Sequence, residues 1–168
     1  LLERLCRSFS LGNVIKNGVP VAIVGNTNVG KSTLLNALLQ EEKAIVSDIA
    51  GTTRDVIEDT INLNGITFRF IDTAGIRTTS DEIENMGIER TFSKISQASV
   101  VLLLTDLQRG VERFEEYYCE VKKHLADSAE LIVVLNKTDQ VDDLLTPQET
   151  IRLFTSGEQI IPISARTG

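Results

Sequence analysis

The sequence predicts an α/β fold of three layers, with helices on both faces of a mostly parallel sheet and one antiparallel strand at an edge. Three observations carry this reading. Short apolar runs at Val19–Val24, Val100–Leu104, Leu131–Leu135 and Gln159–Ile163 read as buried strands. Helical patterns at Ser32–Leu39, Asp81–Ile95 and Glu112–Leu125 fall between the strands, as crossover connections require. Asn64-Gly65 between Val56–Leu63 and Thr67–Ile71 marks a tight hairpin, which supplies the antiparallel strand. Glu41–Asp55 is polar and reads as irregular, and Thr73–Ser80 reads as loop.

The chain has 168 residues, 42% hydrophobic and 24% charged, which suits one globular domain with its own core. Residues 1–17 are expected to form a lead-in helix or linker and 18–168 the domain proper, with its final helix truncated. The chain opens on Leu1 and closes at Gly168 inside a motif, so an excised piece of a larger protein is expected. No apolar run approaches the ~20 residues of a membrane span, and no signal peptide is visible. Cys6 and Cys119 lie far apart without metal-ligand spacing, which fits a reducing, cytoplasmic setting. A net charge of −7 makes this domain alone a poor partner for nucleic acid. His124 reads as a solvated surface residue.

After the first strand, Gly25-Asn26-Thr27-Asn28-Val29-Gly30-Lys31-Ser32 matches the phosphate loop G-x-x-x-x-G-K-[ST] and runs on through Thr33 into a helix. Its glycines let backbone N–H groups face phosphates, and the helix N-terminus adds positive potential. Lys31 is expected to reach the β- and γ-phosphates and Ser32 to ligate Mg²⁺. The irregular segment carries Gly51-Thr52-Thr53, whose hydroxyls suit a switch loop that completes the Mg²⁺ shell only with a γ-phosphate present. Asp72-Thr73-Ala74-Gly75 ends the hairpin's second strand. Asp72 there can hold Mg²⁺ through water, and Gly75 can offer a bare N–H to the γ-phosphate.

Asn136-Lys137-Thr138-Asp139 follows the strand Leu131–Leu135. Asp139 can accept from guanine N1–H and the 2-amino group, a pair of donors adenine lacks. Asn136 can fix the loop and contact the purine edge, and the Lys137 stem can lie along the base plane. Ser164-Ala165-Arg166, after the last strand, would present amides to the guanine carbonyl. Read in this order, the motifs specify GTP and a phosphate-loop G domain that hydrolyses it.

The nucleophile's partner stays open at this level. Ras-like switches place a Gln after D-x-x-G, but here that position is Ile76. Arg77, Asp81, Glu82 and Glu84 are candidates. The bland alternative makes Asp81 an N-cap and Glu84 its capping-box partner.

The motifs together resemble the translation-factor-related GTPases, and within them the tRNA-modification GTPases of the MnmE (TrmE) type. The telling stretches are Ile45 through Asp55, Asp72 through Arg77, Ser80-Asp81-Glu82 with Gly87-Ile88-Glu89-Arg90, and Ile163 through Gly168. The resemblance implies an isolated G domain whose parent works with the flavin enzyme MnmG (GidA) on the wobble uridine of tRNAs, reaching tRNA through its other parts. It implies that Glu84 acts on the attacking water. It also implies a K⁺ ion in place of an arginine finger, held by Asn28 and the carbonyls of Ser47 and Ile49 with Thr52 nearby, in a loop that includes Asp48 and Ala50 and is ordered by a second G domain. Rival readings are a ribosome-assembly GTPase of the Era or Der type, separable by flanking sequence, a nucleotide kinase, which would need an arginine-rich lid, and a GTP-binding scaffold without turnover, separable by phosphate release.

Overall fold

The computed structural model describes residues 17–45, 59–71, 73, 84–106, 111–140, 151–152, 155 and 157–167. In chain order these form β1 (Val19–Gly25), α1 (Lys31–Ile45), β2 (Asp59–Leu63), β3 (Ile66–Phe70), α2 (Glu84–Gln97), β4 (Val100–Asp106), α3 (Val111–His124), β5 (Glu130–Asn136), a 3₁₀ turn (Thr138–Gln140) and β6 (Gln159–Pro162). The strands make one sheet in the order β2-β3-β1-β4-β5-β6. Only the β2–β3 pair is antiparallel, at the edge where the hairpin was expected. Asn64 (φ 53°) and Gly65 (φ 84°) both take left-handed backbone, which matches the twist of a two-residue hairpin turn. The Gly65 amide donates to Asn62 Oδ1 at 2.9 Å.

Alternation along the strands divides the core into two layers. Ala22, Val24, Val101, Leu103, Val133 and Leu135 face Ile95 of α2 and Phe114, Tyr118 and Val121 of α3. Val21, Ile23, Leu104 and Val134 face the opposite side, against Leu34 and Leu35 of α1, with Phe70 and Ile61. The chain runs from β1 out to the edge strand β2, returns through β3 beside β1, then crosses to β4 and on to β6. Neighbouring β1 and β4 therefore send their connections in opposite directions. The crevice at their carboxyl ends is the place where open α/β sheets bind ligands.

Two expectations need correction. Glu41–Ile45, read as irregular, continue α1. They are polar but include good helix formers and no Gly or Pro, so propensity prevails where apolar periodicity fades. The run Gln159–Ile163, read as a buried strand, is a half-exposed edge strand with Gln159 and Pro162 open to solvent. Its ladder does extend to Ile163, whose amide donates to Leu135 O at 2.8 Å. Elsewhere α1 starts one residue earlier than expected, α2 ends two residues later and α3 lies one residue earlier at both ends, while the expected start of α2 at Asp81 lies outside the described residues. His124 is on the surface as expected, its ring stacked on Phe92 with centroids 4.0 Å apart. Cys119 is exposed and unbridged. The residue 1–17 reading lies almost wholly outside the described residues.

Candidate nucleotide site

The phosphate loop leaves β1 in the β1/β4 crevice, where its glycines are sterically required. A Cβ on Gly25 (φ 149°) would stand 2.3 Å from the Leu104 carbonyl oxygen of the neighbouring strand. One on Gly30 (φ 100°) would stand 2.2 Å from Asn136 Nδ2. Asn28, between them, takes left-handed backbone (φ 61°), which Asn tolerates better than most residues. Val29 is buried and anchors the loop in the α1 layer. The Lys31 ammonium donates to the carbonyls of Gly25 and Asn26, 2.7 Å each. It thus stands inside the curl of its own loop, where a phosphate chain would lie. Ser32 is half-buried on the first turn of α1 and Thr33 is exposed beside it. That places a hydroxyl at the N-terminus of a helix, a fit for an Mg²⁺–phosphate group bound through one protein oxygen. Behind the loop, Tyr117 of α3 packs against the core. Burial pushes its phenol up and the nearby Gly25 backbone pulls it partly back.

The second half of the site is built on Asn136, 2% exposed at the end of β5. Its Nδ2 donates to Val29 O at 2.8 Å, and its Oδ1 accepts the Ala165 amide at 2.9 Å. One side chain therefore joins the phosphate loop, β5 and the loop after β6. Of the two roles expected for Asn136, its contacts here are to the loops, to Val29 and Ala165, and not to an open purine edge. The Ala165 amide, expected to face guanine, is directed to Asn136 in this structure. Lys137 follows in left-handed backbone (φ 63°), and the Gln140 amide donates to its carbonyl at 3.0 Å, closing the 3₁₀ turn that holds Thr138 and Asp139. Asp139 Oδ1 accepts from Ser164 Oγ at 2.8 Å, and Arg166 lies exposed beyond it. The Lys137 ammonium pairs with Asp106 at the end of β4.

Two of these contacts were missed in the sequence. Ser164 was assigned only its amide, yet its hydroxyl steadies Asp139. Asp106 belongs to no sequence motif, although a carboxylate closing an apolar strand is a signal, because burial of an unpaired charge is costly. Ser47, Asp48, Ile49, Ala50, Gly51, Thr52, Thr53, Asp72, Ala74 and Gly75 lie outside the described residues. Thr73 is buried. Glu84 opens α2 as described, but its side chain is outside the description, as is Asp81, so the capping and catalytic readings stay side by side.

The comparisons with known proteins bear on the same segments. The family model described as 50S ribosome-binding GTPase matches residues 20–137. A tRNA modification GTPase MnmE of Parabacteroides distasonis is 56% identical over 167 residues, which cover 99% of this chain and 36% of that protein. A protein of the same name from Phocaeicola vulgatus is 63% identical over 139 residues, covering 83% of this chain and 28% of that one. The chain thus spans about a third of the length of these relatives. Among solved structures, an Era variant of Aquifex aeolicus bound to GDP and AlF4⁻ superposes with a TM-score of 0.63 at 35% identity, covering 90% of this chain and 52% of that one. A GTP-binding protein of Sulfolobus solfataricus in complex with GDP shares the fold at 20% identity and a TM-score of 0.60, covering 98% of this chain and 51% of that one. Among the described residues no helix is long and apolar enough to cross a membrane. A matched segment that runs from the start of β1 through the phosphate loop to Lys137 settles the assignment: the chain belongs to the 50S ribosome-binding GTPase family and is a G domain.

Proposed function

We propose that this G domain binds GTP and hydrolyses it to GDP and phosphate as part of a cytoplasmic protein of the MnmE type, which acts with MnmG on the wobble uridine of tRNAs. The observation that carries the nucleotide reading is the Asn136 bridge between Val29 and Ala165, with Asp139 held beside it by Ser164. It sets a carboxylate acceptor at a fixed distance from the Lys31 cage, as a guanine nucleotide needs. The tRNA reading rests on relatives of that name at 51–63% identity. The Era-type alternative has 35% identity behind it.

Within this proposal Lys31 binds the β- and γ-phosphates, and Ser32 and Thr53 hold Mg²⁺, with Asp72 reaching it through water. Mg²⁺, when bound, neutralises phosphate charge. The Gly75 amide meets the γ-phosphate, and Asp139 reads guanine against the Lys137 stem. Glu84 orients the attacking water and takes its proton directly or through a second water. Asn28 and the Ser47 and Ile49 carbonyls, with Thr52 nearby, hold K⁺ once a second G domain packs across the switches.

Phosphate release in matched potassium and sodium salts tests the cation, and scattering mass with GDP and aluminium fluoride tests the pairing. Faster hydrolysis and a dimer in potassium alone are expected, while equal rates in sodium or a monomer throughout would turn attention to Arg54, just after Gly51-Thr52-Thr53, or Arg77, just after Asp72-Thr73-Ala74-Gly75, as the compensating charge. Glu84→Ala should keep nucleotide affinity and slow single-turnover hydrolysis by ~100-fold, the scale of a positioned acid–base group. A fully active variant leaves Glu84 only its capping role. Restoration of wobble-uridine modification by the parent protein, in cells lacking their own enzyme, tests the tRNA assignment.

A further inference from the structure

The buried carboxylate at the end of β4 has no part in the function proposed so far. Asp106 is 3% exposed and stands in register with Asn136 on β5. Its Oδ2 lies 2.5 Å from Lys137 Nζ, and the Lys137 side chain is 27% exposed. The ammonium is thus tied to a buried carboxylate while about a quarter of the lysine side chain remains open to solvent. The backbone of Lys137 is left-handed, a conformation a lysine adopts only where its surroundings hold it. The same residue supplies the carbonyl that closes the turn carrying Asp139. On one side of it Asn136 grips Val29, and on the other Asp139 meets Ser164.

We propose that Asp106 is a positioning residue for the base site: by holding the Lys137 ammonium inside the fold, it sets the apolar stem as the surface on which a purine lies and sets the direction of Asp139. This rests on the guanine-nucleotide reading above. An Arg at position 137 is not an equivalent, because it replaces a point charge on a flexible stem by a planar fork. Without Asp106 the ammonium has no reason to turn inward, so the stem swings to water and the turn beyond it loses its anchor.

Asp106 also makes a further polar or electrostatic contact, so a plain loss of affinity in one variant does not separate the two routes. A double-mutant cycle does. GDP affinity is measured by calorimetry, in Mg²⁺, for wild type, Asp106→Ala, Lys137→Ala and the double variant, with melting curves of each. Asp106→Asn, which keeps the shape and an acceptor oxygen, is carried alongside in case the alanine variant does not fold. Each single alanine variant is expected to lose affinity on the order of 10-fold, the double variant no more than Lys137→Ala alone, and Asp106→Asn less than either. Saturating GTP should restore the turnover of Asp106→Asn, so that KM moves and kcat does not. Additive losses, or Asp106 variants that bind GDP like wild type, overturn the proposal. If wild type itself fails to bind GDP, the nucleotide reading falls instead.

Discussion

At the carboxyl end of the sheet, three side-chain contacts join segments remote in sequence. Asn136 reaches Val29 across 107 residues, Lys137 reaches Asp106 across 31, and Asp139 meets Ser164 across 25. At the amino end the described polar contacts stand nearer to solvent. Lys123 pairs with Glu120 one helical turn away, fully in solvent. Lys122 reaches Glu158 at the start of β6, with the lysine side chain 38% exposed and the glutamate 8%. The hairpin tip there leaves Leu63 and Ile66 each 52% exposed. Both ends cap the same strands, so strand packing does not explain the contrast. Polar groups are buried where they have something to hold in place. Buried polar pairs add little net stability, but they fix a geometry. Among the described residues, the bridges at the carboxyl end hold the candidate base-site groups Asn136, Lys137 and Asp139 in place, whereas the amino end has only to close the core.

The largest effect expected from breaking this contrast is at Asp139. Asp139→Asn removes the acceptor for two guanine donors and should weaken GTP binding by ~1,000-fold, with preference relaxing towards XTP, whose extra carbonyl suits an amide donor. Competition binding with GTP, ATP and XTP checks it. Unchanged GTP affinity would mean that the carboxyl end is not the base site.

Next come two glycines with positive φ, one at each end. Gly30→Ala drives a methyl into Asn136, 2.2 Å away, and strains the backbone as well. It should cost about 2–4 kcal/mol of stability and most nucleotide affinity. Gly65→Ala meets nothing within 4 Å. Only its left-handed backbone resists, about 1 kcal/mol, with nucleotide binding unchanged. Chemical unfolding and GDP titration of the pair measure the difference, and equal costs would remove the distinction between the ends.

The smallest effect is at Glu158. Burial pushes its carboxyl up, but hydrogen bonds from Lys122 and Tyr118 outweigh this and hold it below its ordinary value. A depressed carboxylate contributes stability above its unfolded pKa, about 4.3, and loses it as pH falls through the folded value. Solvent around Lys122 screens the pair, so Glu158→Gln should cost about 1 kcal/mol at pH 7. Urea midpoints of the two proteins should converge as pH falls from about 5 to below 4. A gap that stays constant over that range would assign the loss to packing instead of charge.

The fold class and the motif order were legible from the sequence because each is a local pattern. Apolar runs mark strands, G-x-x-x-x-G-K-S needs only a strand before it and a helix after it, and Asn64-Gly65 fixes a turn by its own backbone preference. Local reading also misled where locality was the problem. Glu41–Ile45 looked irregular because α1 loses its apolar stripe before it loses helix propensity. β6 looked buried because Ile160 and Ile161 carry no sign of lying on an edge strand, which depends on where the sheet ends.

The contacts that turn motifs into a site were decided by tertiary structure alone. Nothing near Gly30 in the chain says that its missing Cβ makes room for Asn136, and nothing near Lys137 says that its ammonium turns inward to Asp106. Both depend on which strand ends are neighbours, and that follows from the sheet order β3-β1-β4-β5. The sequence by itself determined which chemical groups are present and that they would gather at the carboxyl ends of parallel strands. Only the three-dimensional packing decided which of them touch, because a hydrogen bond between residues 107 apart is made by register and layer order and not by any preference of the residues between.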